Sequence, residues 1–322
     1  MAFLFDGDIL GGRMSTQFLR SYKILLFTVF FLIALGGSVR ALDAGLACPD
    51  WPLCFGDIIP DFHVQVYFEF IHRAIAGLIT IALVVLNYKI IRHPSVAKSV
   101  KAVAIFSWIL VSIQIVLGGL TVLWQLHEKV VAAHLGLGTA FFATLLWIYT
   151  SLHPKLQSEP QNWAQFKWPS LFVLLAIYTQ IILGGLVASH YAANVCPEFP
   201  LCHGQWIPTL SGAIGLQVIH RLGAYALFVV VMAFVVYVLK TASDPRAKKY
   251  AYWLAAGLFL QILIGIANVI YKAPPLITVS HLATGTALLG VALRFHCLSA
   301  VAGDRLRTGV GLYTRLSTTK SL

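Results

Sequence analysis

Apolar residues gather along this chain into eight runs, separated by stretches rich in proline, glycine and charge, and several runs approach the roughly 20 residues that cross a bilayer as a helix. The pattern predicts spans at about 22–39, 65–88, 101–124, 130–151, 168–189, 212–239, 248–271 and 277–297, with boundaries drawn to about four residues. The polar positions between them alternate in character. Arg13, Arg20 and Lys23 precede the first span; Lys89, Arg92, Lys98 and Lys101 separate the second and third; Lys155 and Lys167 separate the fourth and fifth; Lys240, Arg246, Lys248 and Lys249 separate the sixth and seventh; and Arg294, Arg305, Arg307, Arg315 and Lys320 follow the eighth. The opposite loops hold only Arg40, Lys129 and Lys272. Basic residues collect on the cytoplasmic side, so both termini are expected in the cytoplasm (or mitochondrial matrix) and the long loops 40–64 and 190–211 outside.

The pattern is also written twice. Leu35-Gly36-Gly37, CPDWPLC at 48–54, Gly56, Pro60 and His72-Arg73 return 148 positions later as Leu183-Gly184-Gly185, CPEFPLC at 196–202, Gly204, Pro208 and His220-Arg221. Gln114, Gly118, His134 and Gly138 return 147 positions later as Gln261, Gly265, His281 and Gly285. A basic stretch before an apolar run looks like a cleaved signal, but the first run carries a repeated motif and is expected to be retained. An even number of spans per repeat gives both halves one orientation. The expected fold class is an all-α polytopic membrane protein of eight helices in two tandem-duplicated four-helix bundles. Its expected parts are a tail at 1–19, a bundle at 20–151, a linker at 152–167 containing Pro154 and Pro160, a second bundle at 168–297 and a tail at 298–322.

Composition sharpens this. With 59% hydrophobic and 11% charged residues and a mean hydropathy of +0.82, the chain is too apolar for a soluble domain. The net charge of +11 raises nucleic acid as a partner, and the confinement of the basic residues to alternate loops removes it.

Four of the five cysteines form two Cys-x5-Cys pairs in the outward loops, and Cys48–Cys54 and Cys196–Cys202 are expected to be bonded. A loop staple is preferred to a redox role, because no Lys, Arg or His flanks Cys48 to lower its pKa, although His203 adjoins Cys202. Cys297 is expected as a free thiol. His63, His93, His127, His153, His190, His203 and His296 fall in loops or at helix ends. His72, His134, His220 and His281 do not. Each lies on an even-numbered span, about five to eight residues after its outer entry, which at about 1.5 Å per residue is roughly 10 Å deep. Two imidazoles at one level in each bundle are how haem iron receives two axial ligands, whereas zinc or copper would need further ligands at that level. Gly36-Gly37, Gly118-Gly119, Gly184-Gly185 and Gly265 on the odd-numbered spans would let a porphyrin approach the backbone, or serve helix packing.

One position breaks the symmetry. Glu69, three residues before His72, corresponds to Gln217 before His220, and an ionisable group inside a span implies function. A Glu69–Arg73 ion pair is expected to be disfavoured by the helical angle between them, which leaves Arg73 and Arg221 to hold haem propionates. The first bundle is thus read as a reactive haem site and the second as an electron-transferring one.

Glu69-Phe-Ile-His72-Arg73, His134, His220, His281, CPDWPLC and the duplicated plan together resemble the haem A synthase family, over roughly residues 20–297. The resemblance implies oxidation of the C8 methyl of haem O to the formyl of haem A, by successive hydroxylations with oxygen from water and electrons leaving through a resident haem b. It implies His72 and His134 around the substrate haem, His220 and His281 on haem b, Glu69 as catalytic carboxylate, and Cys48–Cys54 as the family's first-loop disulfide. Haem O, haem A and membrane lipid are the implied partners, with a haem O synthase and an electron acceptor to be identified and a homo-oligomer left open. The cysteine pairs and the lack of a long Arg/Ser-rich leader favour a bacterial plasma membrane over a mitochondrial inner membrane. A dihaem b-type electron-transfer cytochrome, a membrane thiol–disulfide oxidoreductase and a haem chaperone are the competing readings.

Overall fold

A backbone with no water to bond must satisfy its own N–H and C=O groups, so apolar runs of this length fold as helices. The computed structural model, which describes residues 9–10, 13–153 and 163–308, has eight. They are α1 (Thr16–Ala41), α2 (Val64–Arg92), α3 (Lys98–Leu123), α4 (Glu128–Leu152), α5 (Lys167–Ser189), α6 (Gly212–Thr241), α7 (Pro245–Ile270) and α8 (Pro275–Thr308). All eight are long and apolar enough to cross a membrane. Large apolar side chains such as Ile24, Phe31, Leu78, Val229 and Leu263 stand exposed on their outer faces, the surface that lipid rather than water would cover.

The helices overrun the apolar windows at both ends of the chain. α1 starts at Thr16 rather than near 22, because the Ser15 hydroxyl accepts the Phe18 N–H at 3.1 Å and caps it there, an interaction worth about 1 kcal/mol. α8 runs to Thr308 rather than 297. Hydropathy marks where a helix leaves an apolar layer, not where its hydrogen bonds stop. Two-residue strands Ile9–Leu10 and Arg13–Met14 pair just before α1, so the expected tails at 1–19 and 298–322 are partly structured. Most of the 152–167 linker, including Pro154, Lys155 and Pro160, lies outside the described residues, as do Arg315 and Lys320.

Helices α1 to α4 pack as one ring and α5 to α8 as a second, and the rings meet where α1 and α4 lie against α8 and α4 lies against α5. Each ring is densely filled at the end away from its long loop. In the first, Tyr22, Leu83, Ile90, Ala104, Leu145 and Ile148 are fully buried, and Asn87 joins three helices by accepting from the Tyr22 hydroxyl (3.4 Å) and donating to Ala104 O (3.0 Å) and Ser107 Oγ (2.7 Å). In the second, buried Trp163 stacks on Phe295 at 4.8 Å and donates to Asp244 Oδ2 at 3.1 Å, while Asp244 caps α7 through the Arg246 N–H at 2.8 Å. Toward the loop end the packing loosens, and residues 32–38 of α1 and 277–284 of α8 are only partly buried.

The long loops close over that looser end as near-copies. Cys48–Cys54 and Cys196–Cys202 are both disulfide-bonded and almost fully buried. After each bridge the chain turns through two residues of positive φ, Phe55-Gly56 (58° and 78°) and His203-Gly204 (52° and 74°), and a β-bridge pairs Cys54 with Asp57 and Cys202 with Gln205. A reversal with two left-handed residues favours glycine, which is why the motif continues past its second cysteine with Gly56 and Gly204. Asp50 accepts the Phe55 and Gly56 amides at 2.7 and 2.8 Å, and the Gly56 amide above all holds its carboxyl below the ordinary carboxylate range.

Candidate functional site

In each bundle two histidines project from the even-numbered helices into the loosely packed level beneath the disulfide loop. His220 of α6 and His281 of α8 face each other with ring centroids 6.5 Å apart and planes 83° apart. Two imidazole–metal bonds of about 2 Å plus two half-rings give a separation of roughly 6 Å, so one metal atom fits between them. His72 of α2 lies within electrostatic reach of His134 of α4. Nδ1 of His72 and Nδ1 of His281 are buried with no hydrogen-bond partner, and all four residues keep part of their surface accessible, as side chains lining an interior space do. Among the described residues no three His, Cys, Asp or Glu side chains gather, so the donor sets offered to iron are paired imidazoles.

The glycines on the odd-numbered helices divide into two jobs. Three of them make room for an imidazole: a Cβ would fall 3.0 Å from His72 Cε1 at Gly36, 3.1 Å from His220 Cε1 at Gly184 and 2.9 Å from His281 Cε1 at Gly265, whereas at Gly118 it would sit in ordinary contact, 3.6 Å from His134 Cε1. The second of each pair serves packing, the alternative reading of these residues. Gly37 would place a Cβ 2.7 Å from Leu282 and Gly185 one 2.9 Å from Leu135, each across the boundary between bundles, while Gly119 admits the Trp51 ring of the first loop.

Glutamines on the same helices meet the same rings, a feature missed in the sequence although Gln114 and Gln261 stand in the repeat. Gln180 Nε2 lies 3.0 Å from His220 Nδ1 and donates to its backbone carbonyl at 2.7 Å. Gln261 Nε2 lies 3.3 Å from His281 Nε2 and donates to its carbonyl at 3.0 Å. The Gln114 amide, with its nitrogen toward the histidine, reaches His134 Nδ1 at 3.1 Å and its carbonyl at 3.0 Å. The legible signal is spacing: each glutamine precedes the imidazole-facing glycine by four residues, one turn of its helix.

One expectation is corrected here. Glu69 and Arg73 are ion-paired. They are four residues apart, a rotation of about 400° that leaves the side chains only about 40° from alignment, so the angular argument against the pair applied to adjacent residues and not to these. Arg73 and Arg221, the expected propionate contacts, reach the carbonyls of the loops above them. Arg73 donates to the carbonyls of Asp50 (2.7 Å), Leu53 (2.7 Å) and Cys48 (3.3 Å), and Arg221 to those of Glu198 (2.9 Å), Leu201 (2.7 Å) and Cys196 (2.8 Å). Of these two arginines, Arg221 keeps one buried guanidinium donor, its Nε, without a partner.

The halves diverge where Glu69 faces Gln217. Glu69 is 4% exposed, accepts the Cys48 amide at 2.8 Å and pairs with Arg73, so a buried carboxylate is wired to the loop and to its clamp. Gln217 reaches only Ala193 O at 3.5 Å, and its own oxygen has no partner. His203 turns away from its disulfide to Val195 O at 2.9 Å, and Cys297 is a buried free thiol. A groove of about 340 Å³ opens between α1, α7 and α8, lined by Phe30, Trp253, Leu260, Ala287 and Val291 among others. It carries no titratable group and is no place for the reaction.

Known proteins resemble this chain in sequence. The family model described as cytochrome oxidase assembly protein matches residues 21–293. A haem A synthase of Shewanella oneidensis is 30% identical over 318 residues, covering 84% of this chain and 93% of its own length. Proteins of the same name from Halalkalibacterium halodurans (29%, covering 78% and 88%) and Symbiobacterium thermophilum (30%, covering 77% and 84%) are similarly related. With a match over most of its length and with imidazole pairs of a kind that suits haem, the chain belongs to the cytochrome oxidase assembly protein family.

Proposed function

We propose that this chain makes haem A from haem O, as an oxidoreductase that converts the C8 methyl group to a formyl group by successive hydroxylations with oxygen from water. The observation that carries the reading is a buried carboxylate beside one imidazole pair and an amide beside the other. The name shared by relatives that cover most of this chain supports haem A as the product.

In this reading His72 and His134 hold the substrate haem, with Gly36 giving the His72 ring its space. Glu69 lies one turn from His72 on the same face of α2 and is paired with Arg73. A carboxylate there stabilises positive charge that develops as the methyl group loses electrons, and it accepts a proton from the attacking water. The disulfide loop covers the site and supplies the Cys48 amide that fixes the Glu69 oxygen. His220 and His281 would hold a resident haem b, which would supply one-electron redox chemistry there. The confinement of basic residues to alternate loops supports termini on the cytoplasmic side of the membrane and a histidine level near its outer face.

The test is expression with and without a haem farnesyltransferase, followed by extraction and mass analysis of the pigments. Haem A is expected only with the farnesyltransferase. Both cultures yielding unmodified haem alone would leave an electron-transfer cytochrome or a carrier as the better description.

A further inference from the structure

Three of the four imidazoles are held by a glutamine, and the fourth is not. Four residues before Gly36, where Gln114, Gln180 and Gln261 precede the other glycines, stands Leu32. The facing helix changes with it. A Cβ on Gly223 would collide with Gln180 Oε1, and one on Gly138 or Gly285 would lie 3.2 Å from the amide of Gln114 or Gln261, so glycine on the histidine-bearing helix makes room for each amide. The residue of α2 corresponding to Gly223, 148 positions earlier, is Ile75. Leu32 and Ile75 both pack on the hydrophobic cluster of the first bundle, and His72 Nδ1 is left buried with no partner. His281 Nδ1 is also unpartnered, but Gln261 reaches the other nitrogen of that ring. The Gln–Gly pair has thus been exchanged as a unit for an apolar pair at one ring only.

An imidazole ligated through one nitrogen is held in orientation by what its other nitrogen bonds, and this outer contact tunes metal affinity. A glutamine serves whichever state that nitrogen takes, since its amide offers both a donor and an acceptor. Because each glutamine also donates to the backbone carbonyl of its histidine, it ties ring and helix together. We propose that Gln114, Gln180 and Gln261 are positioning residues that keep their imidazoles on iron, and that the Leu32–Ile75 pair makes His72 the one axial ligand that lets go. This rests on the ligand assignments above. It matches what the two sites must do: a resident haem stays, and a substrate haem has to arrive and leave at every turnover.

The experiment uses full-length protein purified with both haems bound, reduced with dithionite and mixed with carbon monoxide, which binds ferrous haem only where an axial position opens. In the native chain carbon monoxide is expected to bind at the first-bundle haem and to be excluded from the second. Gln180→Met, close in volume and lacking the amide, is expected to retain the second haem and to raise its carbon monoxide binding rate about tenfold, the worth of one lost hydrogen bond. Leu32→Gln with Ile75→Gly is expected to slow binding at the first haem by a similar factor. Because Gln180→Met leaves the packing volume nearly unchanged, it remains informative if the double substitution does not fold. Unchanged kinetics at the second haem in Gln180→Met, or a second haem already as reactive as the first in the native chain, overturns the proposal. His220→Ala separates this from the assignments beneath it. Retention of the second haem there refutes the ligand assignment itself, whereas its loss there with unaltered kinetics in Gln180→Met refutes only the positioning role.

Discussion

At the scale of single residues, the site rests on side chains that are absent as much as on those present. Gly265 faces His281 so closely that any side chain must displace the ring, the tightest of the four imidazole–glycine contacts. Gly265→Leu is expected to lose the second-bundle haem while keeping the first, halving the haem measured per chain as its pyridine complex; full retention of both would show that the ring does not depend on this contact. The four histidines and Glu69 were legible in the sequence because a polar residue in an apolar run stands out, and duplication marked them again. Residues whose role is defined by a neighbour on another helix were not. Leu32 and Ile75 read as ordinary apolar positions, and Gln180 as a tolerated polar one, until the facing helix is known. Arg73 and Arg221 were visible, but their bonds to the loop carbonyls were not, since nothing in their sequence neighbourhood says that those carbonyls come within reach.

At the scale of elements, the disulfide loops are held less by their own chemistry than by the arginine beneath each. Arg221 makes three hydrogen bonds to carbonyls of the second loop. Hydrogen bonds to a charged group contribute about 1.5–3 kcal/mol each, so Arg221→Leu is expected to cost a few kcal/mol even after relaxation. The check is thermal unfolding in detergent followed by circular dichroism, where a clear fall in midpoint is expected and an unchanged midpoint would show that the loop is held by its disulfide alone. Helix number and approximate position followed from hydropathy because every apolar run of spanning length became a helix. Helix ends did not, because α1 is set by a serine cap and α8 continues past its apolar window under rules that hydropathy does not record.

At the scale of the whole molecule, two bundles share one plan, and function is assigned by where they differ. The bundles meet through Gly37 against Leu282 and Gly185 against Leu135, so the residue after a histidine in one half packs on the glycine beside an imidazole-facing glycine in the other. That contact links the two sites sterically. His220→Ala is expected to remove one haem of two and to leave the first-bundle spectrum in place, because in the proposed assignment the ligands of each site come from one bundle; loss of both haems would mean that the sites are not separable. Tandem similarity was readable residue by residue, yet the sequence shows only that two residues correspond, and the structure shows that Glu69 joins loop and clamp where Gln217 makes a single long contact to its loop, at Ala193 O.

The most direct test is the product made by Glu69→Gln in cells that also make haem O. The substitution keeps the size of the side chain and removes its charge, and loss of a positioned general base costs about a hundredfold or more in rate. Both haems are expected to remain bound while haem A falls to trace levels and haem O or a hydroxylated intermediate accumulates. A normal yield of haem A from that variant would contradict the assignment of the chemistry to this carboxylate.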